Sequence, residues 1–262
     1  MDFKLPPRAE NSNKGTFGKV LNISGSRYMW GAGYLSSLSA LKIGAGYVVL
    51  AGDESVLNRI NAPEIVLASV SEIPKIDATV LLIGCGLSTT DNAKNIFNKV
   101  IPAKIPTVID ADGLNILAQT NIELDKNTIL TPHPKEASRL LNCSSDEILE
   151  NMELSAKRIC EKYNCITVLK SHQTIVTDGE NLYKNNTGNS ALAKAGSGDV
   201  LAGMIAGLLA QGLSPFEAGC LGVYLHGLSG DLAKNDLTEY GVLATDTIKY
   251  IPSAIKQLSE TN

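Results

Sequence analysis

Short, nearly unbroken apolar runs recur along the first two thirds of the chain, each closed by a glycine, serine, aspartate, proline or lysine. The first is KVLNIS at residues 19–24. It is followed by YVVLAG (47–52), EIVLAS (64–69), TVLLIG (79–84), TVIDAD (107–112), TILTP (128–132) and ITVLK (166–170). Runs this short, without polar alternation, predict strands buried on both faces. Between them lie stretches with helical spacing. GAGYLSSLSALKIGAG carries Leu35, Leu38 and Leu41 and stops at glycine; residues 91–100 and 145–162 continue the pattern. Such alternation predicts an α/β fold in three layers, a mainly parallel central sheet flanked by helices.

The rhythm changes near QTIVTDGENLYKN, where two short strands flank Asp178-Gly179 and predict a hairpin. Helices are expected from there to the end, at 198–211, 215–234 and 244–258. No linker, repeat or low-complexity tract divides residues 1–262, so one domain is the expectation.

Composition narrows the class. The chain has 262 residues, 44% hydrophobic and 19% charged, enough for a sizeable core. A net charge of −4 with interspersed signs argues against a general nucleic-acid binder or a polybasic membrane surface. The five cysteines are scattered without a CxxC pair, and the three histidines lack ligand spacing, so no protein-held metal is expected. MDFKLPPRAEN has no apolar signal region, and the most apolar segment, 200–213, is too short and glycine-rich to span a bilayer. A soluble protein in the reducing cytoplasm is expected.

Ligands of open parallel sheets bind at the carboxyl ends of strands. Here those ends carry Gly84-Cys85-Gly86, Asp110 with Asp112, His133 between two prolines, and Lys170. The strongest single signal is AKAGSGD. Gly196 and Gly198 let backbone N–H groups converge without a Cβ in the way, and the following helix adds unpaired donors and a positive dipole end. Together with Ser197 they suit an anion hole for a phosphoryl group in transfer. Asp199 is either the acceptor for a proton leaving a hydroxyl nucleophile or a simple complement to the helix dipole; chemistry alone favours neither.

Other motifs are weaker or absent. There is no GxxxxGK[ST], so a P-loop is excluded. Gly84-Cys85-Gly86 resembles half of a dinucleotide fingerprint, with Asp110 as the ribose acid, but the third glycine is missing. His133, fixed by prolines, suits a ligand contact. His172 is a candidate for the nucleotide site, and His226 lies in an expected helix. Tyr28 and Trp30, in the SRYMWGAG loop, either stack on a base or close the core.

Taken in order, KGTFGKVLNISGS, GAGYLSSLSALKIGAGYV, LLIGCGLS, VIDADGLN, LTPHPKEA, VLKSHQT, NNTGNSALAKAGSGD and GVYLHGLSGD resemble the NAD(P)H-hydrate dehydratase family, of the ribokinase-like superfamily, over nearly the whole chain. The resemblance implies ADP- or ATP-dependent repair of the hydrated cofactors NADHX and NADPHX, with Mg2+. It implies substrate contacts from Ala32, Gly86, His133 and Asp199, and nucleotide contacts from Lys170, Ser171, His172, Gln173, Thr174 and Gly198. Asp199 becomes the base, the backbone of 195–198 the anion hole, and Asn186, Thr187 and Asn189 the organisers of the phosphate loop. Asp110 is assigned to the substrate or a hydrated Mg2+. The chain departs from the family pattern at Lys135 and Ser171, where glycine is usual, and at Ser197, where threonine is usual. The family also implies a homotetramer, and 262 residues leave no room for the epimerase domain many bacterial members carry. The competing readings are a ribokinase-like kinase of a vitamin-type alcohol and a nucleotide-binding regulatory protein.

Overall fold

The computed structural model describes residues 3–261. Nine strands form one sheet in the order β3-β2-β1-β4-β5-β6-β7-β8-β9. They are β1 (Lys19–Ile23), β2 (Tyr47–Gly52), β3 (Val66–Ser69), β4 (Val80–Ile83), β5 (Thr107–Ile109), β6 (Thr128–Leu130), β7 (Ile166–Leu169), β8 (Ile175–Thr177) and β9 (Leu182–Lys184). The first seven are mutually parallel. β8 and β9 complete the sheet as the antiparallel hairpin expected at Asp178-Gly179.

Ten α-helices cover the sheet: α1 (Trp30–Lys42), α2 (Glu54–Leu57), α3 (Asp91–Val100), α4 (Asp112–Leu117) and α5 (Pro134–Leu141) come first. They are followed by α6 (Ser145–Glu150), α7 (Met152–Tyr163), α8 (Ser197–Ala210), α9 (Pro215–Gly241) and α10 (Ala244–Thr261). Strand residues divide between two cores. Val80 and Leu82 join α1, α8, α9 and α10 on one side, while Leu81 and Ile83 join α3 to α7 on the other. This is why the strands lack polar alternation. Among the described residues no helix is long and apolar enough to cross a membrane.

Three elements differ from the sequence pattern. The single helix expected over 145–162 breaks at Asn151 (φ −145°, ψ 80°), whose side chain accepts from the Leu154 amide at 3.0 Å and starts α7 afresh. The helix from Pro215 runs past 234 to Gly241, interrupted at Thr238 (φ 67°). In α1 the deeply buried face is not the leucine stripe but Gly33, Ser36, Ser37, Ser39 and Ala40. Small residues win there because α8 lies almost backbone to backbone with α1. A Cβ on Gly203 would sit 2.1 Å from the Ser36 carbonyl oxygen, and one on Gly207 2.6 Å from that of Ala40.

The chain adds β2 and β3 on one side of β1, then crosses to place β4 on the other. The carboxyl ends of β1 and β4 therefore flank the reversal of strand order, where open sheets leave a crevice. Gly25, after β1, donates its amide to the Cys85 carbonyl after β4 at 2.7 Å and ties the two loops together.

Candidate active site

Helix α8 begins at this crevice. Gly196 is its N-cap, with φ +91°, a conformation that favours glycine. A Cβ there would also lie 2.6 Å from Leu35 Cδ1. The Ser197 amide is tied to the Lys194 carbonyl at 3.2 Å, and the first ladder bond runs from the Val200 amide to the Gly196 carbonyl at 3.1 Å. The amides of Gly198 and Asp199 stand between these two and lie outside the helical ladder. The segment expected to form an anion hole over 195–198 is thus shifted toward the helix. The Ser197 hydroxyl lies 3.3 Å from Nε2 of His226, which is buried and whose burial lowers its pKa to about 4. His226 is a neutral support for the turn.

Asp199 occupies the first turn of α8 beside Asp110 and Cys85; one ligand atom from each lies within 4.8 Å of the others. Burial and the Asp110 charge raise the Asp199 carboxyl to about 7, against the opposing pull of Lys170 and a Cys85 thiol hydrogen bond. Asp110 is 1% exposed. Its Oδ1 accepts from Lys170 Nζ at 2.6 Å and from the Thr131 hydroxyl at 2.7 Å. Glu136 lies 4.0 Å from Lys170, and burial, with Asp110, raises its carboxyl to about 7.

His133 is the N-cap of α5. Its Nδ1 accepts from the amides of Lys135 (3.1 Å) and Glu136 (3.3 Å), and Glu136 Oε2 accepts from the His133 amide at 2.9 Å. Nε2 stands 3.2 Å from Glu136 Oε1. Partial burial and Lys170 lower its pKa. Nδ1 is engaged by the two amides, and the half-exposed remainder of the ring is what His133 presents.

A cavity of about 970 Å³ opens beside α8, lined among others by His133, Lys170, Ser171, His172, Thr174, Ser197 and Gly198. Gln173 is exposed and outside this wall, its amide donating to the Ser171 hydroxyl at 3.1 Å. Ala32 and Gly86 meet at the crevice instead: a Cβ on Gly86 (φ +59°) would lie 2.8 Å from Ala32 Cβ. Gly86 adjoins Cys85, whose thiol lies beside Asp199. Tyr28 is 86% exposed and Trp30, the first residue of α1, 36% exposed; neither closes the core.

Of the three residues expected to organise the NNTGN loop, Thr187 and Asn189 do so, and Asn185 stands in for Asn186. Asn186 is exposed, whereas Asn185 is buried and donates to the carbonyls of Thr187 (3.0 Å) and Val223 (3.3 Å). Thr187 donates to the Tyr224 carbonyl at 2.8 Å. Asp231 of α9 accepts from the Gly188 amide (2.9 Å) and from Asn189 Nδ2 (2.7 Å). Asp231 and Glu136 were missing from the sequence-derived site. The signal for Glu136 was its spacing of three from His133, the spacing of a capping box, hidden because histidine is not a usual N-cap.

A glycine turn that exposes helix-terminal amides at the reversal point of a three-layer α/β sheet places the chain in the ribokinase-like class. Within that class residues 20–253 match the NAD(P)H-hydrate dehydratase family profile. The chain belongs to that family. The ADP-dependent (S)-NAD(P)H-hydrate dehydratase of Neisseria meningitidis is 39% identical over 240 residues, 87% of this chain and 81% of that protein. The bifunctional NAD(P)H-hydrate repair enzyme of Coxiella burnetii is 37% identical over 255 residues, 94% of this chain and 52% of that protein. The chain spans about half the length of such bifunctional relatives. The crystal structure of the ADP/ATP-dependent NAD(P)H-hydrate dehydratase of Bacillus subtilis, co-crystallised with ATP/Mg2+, superposes with a TM-score of 0.89 at 31% identity. That alignment covers 97% of this chain and 94% of the other.

Proposed function

We propose that this chain carries out the dehydration for which its family is named, restoring NADH and NADPH from the S-epimers of NADHX and NADPHX at the expense of ADP or ATP. The observation that carries this reading is Asp199, a carboxylate raised to about 7 beside the free amides at the start of α8. A base needs a pKa near the working pH to accept a proton and release it again.

Hydroxide is a poor leaving group, and phosphorylation makes it a good one. The hydroxyl oxygen of the hydrated ring attacks the terminal phosphorus of the nucleotide while its proton passes to Asp199. The Gly198 and Asp199 amides hold the transferred phosphoryl oxygens, with Lys170 close behind Gly198. The ring nitrogen lone pair then expels phosphate, and loss of the adjacent ring proton restores the double bond. The nucleotide is assigned to the cavity lined by Lys170, Ser171, His172 and Thr174, and the hydrated ring to the crevice beside Ala32 and Gly86. The neutral face of His133 stacks on the substrate in this arrangement.

The residues do not fit a protein-held Mg2+. The tightest donor group contains the Cys85 thiol, and Asp110 Oδ1 is already taken by Lys170 and Thr131. Mg2+ accompanies the nucleotide phosphates in this reading, and no step runs through it. A cytoplasmic homotetramer belongs to the same proposal.

The reading is tested by following phosphorus. With NADHX and ATP, free phosphate is released in step with dihydronicotinamide. A stable phosphate ester accumulating on an alcohol substrate would instead assign a kinase.

A further inference from the structure

Three donor atoms converge at the start of α8 from three separate elements. Cys85 follows β4, Asp110 follows β5, and Asp199 lies in the first turn of α8. Their ligand atoms all lie within 4.8 Å of one another. The Cys85 Sγ to Asp110 Oδ2 separation is 3.6 Å. Zinc bonds of about 2.3 Å to sulfur and 2.0 Å to oxygen, at a tetrahedral angle, require an edge of about 3.5 Å. The first edge of a tetrahedral site is therefore already in place.

Asp110 divides its two oxygens between different tasks. Oδ1 accepts from Lys170 and Thr131. Oδ2, on a side chain 1% exposed, is turned to the Cys85 thiol, a weak donor. The cavity wall runs close to it, since a Cβ built on Gly198, which lines that cavity, would lie 4.0 Å from Oδ2.

We propose that Cys85, Asp110 and Asp199 bind one thiophilic divalent cation of the Zn2+ or Cd2+ class, and that this ion switches the enzyme off. The donor set is one sulfur and two oxygens. Hard cations gain nothing from the sulfur, which selects against Mg2+, while the Lys170 ammonium at Asp110 opposes any divalent ion alike. Binding replaces the thiol proton: the S–H bond breaks, a sulfur–metal bond forms, and one proton leaves to solvent, with a second from Asp199 wherever that carboxyl is protonated. Burial, and after it the Asp110 and Asp199 charges, hold the thiol proton in place, and the two carboxylates become co-ligands once a cation lies between them.

Inhibition follows because Asp199 cannot accept a proton while it ligates a metal. That consequence rests on the reading of Asp199 as the base; binding itself does not.

The test is titration of the purified protein with Cd2+ in a non-thiol reductant, followed by thiolate-to-metal charge-transfer absorbance and by turnover of NADHX. One equivalent should produce the band and abolish turnover, and a chelator should reverse both. Cys85→Ser should lose the band, and its residual turnover should resist Cd2+ at least about tenfold better than wild type. X-ray absorption of the zinc-loaded wild-type protein should find one sulfur among oxygen ligands, a measurement that needs no variant. No band, a band retained by Cys85→Ser, or more than one sulfur would overturn the site. A band through Cys85 with turnover unaffected would overturn the inhibition and remove Asp199 as the base, while loss of binding alone leaves the proposed function standing.

Discussion

Asp199 is held where a purely structural aspartate would be a liability. Burial and Asp110 both oppose its ionisation, and Lys170 and Cys85 only partly offset them. Asp199→Asn removes the acceptor and keeps the shape. Turnover should fall by about a hundredfold or more, while adenine-nucleotide affinity measured by calorimetry stays within a few-fold of wild type. Retained turnover would place the base elsewhere. The same carboxyl sets the pH behaviour, with turnover rising through about pH 7 to a plateau. Its stability contribution has the opposite sign. The folded state holds the proton up to about 7, whereas the unfolded chain releases it near the ordinary value of 3.8. The native state thus loses stability as pH climbs through that window. The melting temperature of Asp199→Asn relative to wild type should therefore increase between about pH 4 and pH 8. A constant difference would show that the carboxyl is not perturbed.

At the scale of elements, the glycines of α8 do two separate jobs. Gly203 and Gly207 let the helix lie against α1, and Gly196 and Gly198 keep the turn open. Gly203→Ala places a Cβ 2.1 Å from a backbone oxygen of α1, so both helices must move. A loss of about 1–3 kcal/mol in denaturant unfolding is expected, and an unchanged midpoint would contradict the packing. Gly198→Ala is different, since its Cβ meets Lys170 Nζ at 3.4 Å and Asp110 Oδ2 at 4.0 Å, both ordinary contacts. That variant should fold normally and lose kcat by crowding the phosphoryl position; full activity would remove Gly198 from the anion hole. The strands and this turn were legible because apolar runs and glycine spacing are local. The buried face of α1 was not. Leu35, Leu38 and Leu41 carried the periodic signal, but the contact was decided by the absence of side chains on α8, far along the chain. His133 was legible as rigid through its prolines. That the α5 amides consume Nδ1 of the ring depended on a rotamer that spacing does not fix.

For the whole molecule, the order reversal at β1 and β4 assembles the site from loops up to a hundred residues and more apart. Motif series allowed most of its members to be recognised, because each closes its own strand or opens its own helix. The supporting residues were harder to find. Asp110 with Lys170, and Asp231 with the NNTGN loop, pair across elements whose adjacency exists only in the folded sheet. The resulting layout sets Asp199 beside Asp110 and Cys85, next to the cavity lined by Lys170 and Gly198, and the proposed transfer from nucleotide to hydrated ring rests on it. It is tested most directly by supplying (S)-NADHX with ADP or ATP and Mg2+ and following dihydronicotinamide absorbance. Recovery that depends on nucleotide and is lost in Asp199→Asn is the expected result; no recovery with either nucleotide would contradict it.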